Sequence, residues 1–178
     1  MIKTLNSQRL TLKPLDLSYC TEEYVSWLNN PEVNKYLETG GNYKISDLKD
    51  YLQAVVKNEG MLFWAIHLKD TYQHIGNIKI DPINKKHGLG EYGIMMGEST
   101  QWGKGYAKEA SQALIDHCFI DLKIRKITLG VVDINIAAVA LYKKLGFEIE
   151  GLYKRHGVYD GVFADMIRMA LFNTQYEY

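Results

Sequence analysis

Residues 102–107 read WGKGYA, and a helical run follows at once. Two glycines flank a lysine, an arrangement in which successive backbone N–H groups turn inward around an anion. The helix behind it adds partial positive charge and unpaired amide donors in its first turn. Gly103 and Gly105 let the main chain approach a diphosphate without side-chain obstruction. The chemistry on offer is amide binding of a phosphate ester; an ordinary glycine turn is the plainer alternative. A second glycine set, GLGEYG at 88–93, satisfies G-x-G-x-x-G but opens a strand rather than a helix, so it is read as chance. No G-x-x-x-x-G-K-[ST] segment is present. The histidines at 67, 74, 87, 117 and 156 show no metal-ligand spacing, and Cys20 and Cys118 form no CxxC pair, so no metal site is expected.

These residues need elements to hold them. RLTLKPL (9–15) alternates and reads as a strand. Residues 17–30 carry apolar side chains at helical spacing and end at Asn30-Pro31, after which a short helix restarts. Residues 38–43 read as loop and 46–58 as a helix capped by Ser46. Segments 61–69 and 73–81 form a hairpin around Asp70-Thr71-Tyr72, and 87–98 is a third strand. A helix over 105–120, a strand over 126–132 and a helix over 135–147 follow, the last stopped by Gly146. Two final strands flank Tyr159-Asp160-Gly161. The order describes a mixed α/β (α+β) sheet, antiparallel in its front half, with crossover helices behind.

The chain has 178 residues and 47% hydrophobic content, enough for one domain with a proper core. Its 21 basic and 21 acidic residues balance, which argues against a protein that coats nucleic acid or an anionic membrane. No apolar run has the length of a membrane span and the N-terminus is no signal peptide, so a cytoplasmic setting is expected.

One strand beyond the glycine turn, Asn135, Ala138, Tyr142, Gly146 and Phe147 complete a second pattern. The two segments together resemble the acyl-CoA N-acyltransferases of the GNAT superfamily. There a Q/R-x-x-G-x-G/A turn binds the CoA diphosphate, and a later N-x-x-A-x-x-x-Y-x-x-x-G-F segment holds and uses the thioester. Gly105 and Ala107 fill the last two positions of the first motif, while Trp102 stands where Gln or Arg is usual. RLTLKPL, WLNNPEV and the text near the C-terminus look like the branch holding ribosomal-protein N-terminal, spermidine and amino-sugar acetyltransferases.

The resemblance implies a GNAT-like, mostly antiparallel twisted sheet flanked by helices, in a single domain over 1–178. It implies acetyl-CoA as co-substrate, held by Met95, Met96, Trp102, Gly103, Lys104, Gly105, Tyr106, Ala107 and Asn135. A bulge near Met95 and Met96 would splay that strand, admit the pantetheine arm and aim a backbone N–H at the thioester carbonyl. Tyr142 is the implied proton donor to the leaving thiolate, and Glu91 the implied base acting through water. Core packing for Tyr142, helix capping for Asn135 and a solvated carboxylate for Glu91 are the plainer alternatives. An alkyl ammonium is neutral in only about one molecule per thousand at pH 7, so the reaction needs help with that proton. The acceptor is expected to be a primary amine: a polyamine, an amino sugar on a nucleotide, or a protein N-terminus. Its pocket is expected from Trp27, Asn29, Asn30, Tyr36, Glu38, Tyr159 and Asp160, and the apolar end MIRMALFNTQYEY would suit a homodimer face. A CoA-binding or sensing module without catalysis is the alternative, against which Tyr142 argues.

Overall fold

A computed structural model describes residues 2–38 and 41–176. Thr39 and Gly40 of the expected 38–43 loop, and Glu177 and Tyr178 of the C-terminal segment, lie outside the described residues. Among those described, the strands are β1 (Leu5–Asn6), β2 (Leu10–Pro14), β3 (Leu62–Leu68), β4 (His74–Asn84), β5 (Leu89–Met96), β6 (Lys126–Val132), β7 (Glu148–Tyr159) and β8 (Val162–Phe172). The helices are α1 (Glu22–Asn29), α2 (Pro31–Asn34), α3 (Ile45–Lys57), α4 (Tyr106–Asp116) and α5 (Ile136–Lys144). All the strands join one sheet in the order β1-β2-β3-β4-β5-β6-β8-β7. Every pairing is antiparallel except β5 with β6, so the expected mixed, mostly antiparallel architecture is what the chain forms.

Alternation builds the sheet: Leu10 and Leu12 of β2 both point inward and are fully buried. One face packs Leu114, Ile127, Leu129 and Tyr142 beneath α4 and α5. The other packs Leu48, Leu52, Phe63 and Ala65 beneath α1 and α3.

The expected helix over 17–30 is broken. Leu17–Tyr19 is a single 3-10 turn, and α1 starts after Thr21, whose Oγ1 accepts the Tyr24 amide at 3.2 Å. A threonine at that point satisfies a first-turn donor, and Leu17 is left exposed rather than joining the stripe. Ser46 is not a cap: α3 begins at Ile45, and Asp47 accepts the Lys44 amide at 2.9 Å. α4 is prolonged through His117–Asp121 as one π turn. Gly146 takes φ 91° just past α5, as its position requires.

Much of the apolar end lies within the sheet. MIRMALF forms most of β8 between β6 and β7, with Met169 and Ala170 fully buried. The β7–β8 hairpin carries a group of exposed apolar side chains, among them Leu152, Val158 and Phe163. No helix among the described residues is long and apolar enough to cross a membrane.

Candidate active site

The parallel pair defines the site. β5 and β6 are joined only at Leu89↔Lys126, Gly90↔Ile127 and Glu91↔Thr128. Beyond Glu91 the strands part, although β5 stays paired to β4 up to Met96 and β6 to β8 up to Val132. At the open end, the amides of Gly97 and Glu98 both donate to the Ile75 carbonyl, at 3.0 and 3.1 Å. Two residues opposing one is a bulge, and it turns the chain out of the sheet. With Gly97 bonded to β4, strand alternation turns the main chain of Ile94 and Met96 toward the gap and that of Met95 toward β4. Met96 can therefore present an amide to a ligand between the strands. Met95 cannot, which corrects its expected backbone role; its side chain packs against the α1–α3 core. The gap thus offers a free N–H on β5 to an extended chain.

The glycine turn closes the open end of the gap. Gly103 and Gly105 adopt φ 75° and 82° on either side of Lys104, the left-handed pair that aims amides into one concavity. Gly105 is the N-cap of α4 and supplies no side chain, and Glu109 N to Gly105 O is the first helical bond. The amides of Tyr106, Ala107 and Lys108 are thereby without helical partners. Trp102 has a role its type did not announce: its indole N–H donates to the Met96 carbonyl at 2.9 Å and ties the turn to β5. Lys104 Nζ donates to Gln101 at 2.8 Å and is otherwise exposed.

Arg9 and Glu109 brace this turn and were missed. Arg9 donates its amide and Nε to the Glu109 carboxylate at 2.6 and 2.7 Å, and Nη1 to the Lys104 carbonyl at 3.1 Å. Its guanidinium stacks 4.4 Å over the Tyr106 ring. Ser7 Oγ adds a bond to Glu109 at 2.7 Å. Burial opposes ionisation of Glu109, but the Arg9 amide, the Ser7 hydroxyl and the Arg9 guanidinium outweigh it and hold its carboxyl below the usual range.

Tyr142 faces the interior from α5, only 8% exposed. Its ring meets Tyr92 at 5.7 Å and Phe147 at 5.9 Å, both edge to face. Among the described residues the buried polar side-chain atoms without a partner are His67 Nδ1 and Asn77 Nδ2; the Tyr142 hydroxyl makes no hydrogen bond there and is not one of these sealed atoms, so it keeps some exposure. Burial pushes its phenol up to about 12, so it stays protonated at any physiological pH. Asn135 caps α5: its Oδ1 accepts the Ala138 amide at 3.2 Å. That bond leaves the side-chain amide N–H₂ for other use.

Glu91, the expected base, is engaged in an ion pair. Arg168 grips both its oxygens, at 2.7 and 2.8 Å, and Thr128 Oγ1 donates to it at 3.0 Å. The Arg168 hydrogen bonds lead the causes that hold its carboxyl below the ordinary range, against the opposing effect of burial. A carboxylate so committed is a weak proton acceptor. It serves as a clamp at the closed end of the gap. The clamp depends on Gly130, where a Cβ would come within 2.8 Å of Arg168 Nη1 as that side chain crosses β6.

A cleft of about 800 Å³ lies between α2 and the β7–β8 turn, lined by Glu32, Lys35, Glu38, Tyr159, Asp160 and Met166 among others. Met166 pairs with Val132, the last residue of β6, which sets the cleft beside the open end of the gap. Of the residues expected here, Glu38, Tyr159 and Asp160 line it, and Tyr36 flanks it with its ring 6.0 Å from Tyr159. The other three serve the fold. Trp27 is buried beneath Gly97, where an added Cβ would lie 2.0 Å from the indole. Asn29 exchanges two hydrogen bonds with the Tyr43 backbone, and Asn30 caps α2.

A splayed parallel pair, a bulge, a two-glycine turn at a helix start and a buried tyrosine are thus gathered in one region of the sheet. The acetyltransferase (GNAT) domain family matches residues 9–148, and the chain belongs to that family. An uncharacterized N-acetyltransferase, p20 of Bacillus licheniformis, is 30% identical over 98% of this chain and 99% of its own. Spermidine N(1)-acetyltransferase of Escherichia coli K12 is 34% identical over 96% of this chain and 90% of its own. A crystal structure of spermidine N-acetyltransferase from Vibrio cholerae in complex with CoA and spermine superposes with a TM-score of 0.86, at 23% identity, over 93% of this chain and 96% of that one, a likeness of fold. The protein is an acetyl-CoA-dependent N-acetyltransferase that moves an acetyl group to an amine.

Proposed function

We propose that the acceptor is a polyamine, acetylated at a primary amine by a single domain spanning the chain. The observation that carries this reading is the cleft beside the gap, where Glu32, Glu38 and Asp160 outnumber Lys35. A polyamine has one amine to react and others that remain cationic, and carboxylates at a distance from the thioester are what those cations need. The Tyr36–Tyr159 pair adds aromatic faces suited to a cation on a methylene chain. Spermidine as the substrate of the E. coli relative supports the same class.

In this reading the diphosphate sits on the amides of the glycine turn and the pantetheine arm follows the β5 edge. The Met96 amide polarises the thioester carbonyl. The neutral amine attacks the carbonyl carbon, a C–N bond forms, and the C–S bond breaks as the tetrahedral centre collapses. The sulfur takes its proton from Tyr142, and the proton shed by nitrogen leaves through water, Glu91 being occupied by Arg168.

Thiol release from acetyl-CoA, measured with spermidine, spermine, a peptide amine and a nucleotide-linked amino sugar, tests the proposal. Spermidine or spermine is expected to give the highest kcat/KM. Glu38→Gln should raise the polyamine KM about tenfold, as expected for one lost charge-assisted contact, with the acetyl-CoA KM unchanged. Preference for the peptide or the sugar, or indifference to Glu38, would overturn it.

A further inference from the structure

We propose that Tyr92, bonded through Ser111, is a positioning residue that sets Tyr142 against the diphosphate turn. The inference rests on the reading of Tyr142 as proton donor. Tyr92 lies on β5 immediately after Glu91↔Thr128, the last pair before the strands part. Its side chain is buried on the α4–α5 face. Its hydroxyl lies 2.6 Å from Ser111 Oγ, and Ser111 Oγ donates to the Ala107 carbonyl at 2.6 Å. Serine has one hydroxyl proton, already given to Ala107, so the Tyr92 O–H is the donor of the first bond.

The consequence is a continuous connection. Ala107 is in the first turn of α4, whose free amides face the anion. Ser111 stands one turn further along and is fully buried. Tyr92 joins that serine to the Tyr142 ring, which it meets at 5.7 Å and 82°. Among the described residues the Tyr142 hydroxyl has no hydrogen bond, and ring packing orients it. The ends of acetyl-CoA must be placed together, its diphosphate on α4 and its sulfur beneath α5. The Tyr92–Ser111 bond ties α4 to β5, and the Tyr92 ring carries that tie on to Tyr142 of α5; a small shift in a reacting geometry costs rate far more than affinity.

Ser111→Ala removes the acceptor and leaves the buried Tyr92 hydroxyl without a partner; Tyr92→Phe removes the hydroxyl and keeps the ring. Either should lower kcat about three- to tenfold with the acetyl-CoA KM within twofold. The deciding measurement repeats both changes in a Tyr142→Phe background. If the brace acts through Tyr142, neither costs further rate there, a non-additivity that a general loss of packing does not produce. Equal losses in both backgrounds, or an unchanged kcat in the wild-type background, would overturn the proposal. Tyr92→Phe serves where Ser111→Ala does not fold. Full activity of Tyr142→Phe itself would instead remove the donor reading, a separate result.

Discussion

Tyr142→Phe is expected to lower kcat for acetyl transfer by about two orders of magnitude, the usual worth of a positioned acid, while the acetyl-CoA KM changes by less than twofold. The substitution removes one oxygen and leaves the ring that packs on Tyr92 and Phe147. Its hydroxyl makes no hydrogen bond among the described residues, so stability should hardly change. Burial that raises the phenol to about 12 also opposes a bare thiolate in the same place, so the proton is delivered as sulfur gains charge. The sign with pH follows. The acid form is present throughout the range below about 12, so no alkaline loss of rate between pH 7 and 10 belongs to this phenol. Steady-state rates across that range, wild type against variant, check both statements. Equal kcat would remove Tyr142 from the chemistry.

The second large effect is on binding. Gly103→Asp should raise the acetyl-CoA KM and the calorimetric Kd for CoA at least tenfold with kcat unchanged. Aspartate tolerates the left-handed φ of 75° better than most residues, and nothing lies within 4 Å of the added Cβ, so the fold is spared. A carboxylate about 5 Å from a phosphate charge costs on the order of 3 kcal/mol at an effective dielectric near 20, less after screening by salt. Gly103→Asn has the same shape without the charge and should bind CoA nearly as the wild type does. Equal weakening by both would mean that backbone strain, not an anion, explains the turn.

The glycine turn was legible because its backbone shape is written in residue types: Gly103 and Gly105 both take a left-handed φ that glycine adopts most readily. Gly146 was legible as the left-handed position that ends α5. Tyr142 and Asn135 were picked out by the resemblance, and the structure sets the first in the interior and the second at the start of α5. The gap between β5 and β6 was not, since no residue marks where a strand pair ends; only the resemblance pointed to it. The partner of Glu91 was not legible, because Arg168 is 77 residues away and reaches it across a position that has no side chain. Arg9 and Glu109, 100 residues apart, were invisible for a similar reason. Trp27, Asn29 and Asn30 were assigned to the pocket by composition, but composition does not say which way a helix turns. Trp27 faces in under Gly97, and the two asparagines serve the backbone of the next segments.

A crystal structure of the protein with bound CoA tests the central claim most directly. The account predicts diphosphate oxygens on the amides around Gly103–Lys108, the pantetheine arm between β5 and β6, and the sulfur within about 3.5–4 Å of the Tyr142 hydroxyl. A diphosphate bound away from that turn, or a sulfur on the far side of β5 from Tyr142, would contradict it.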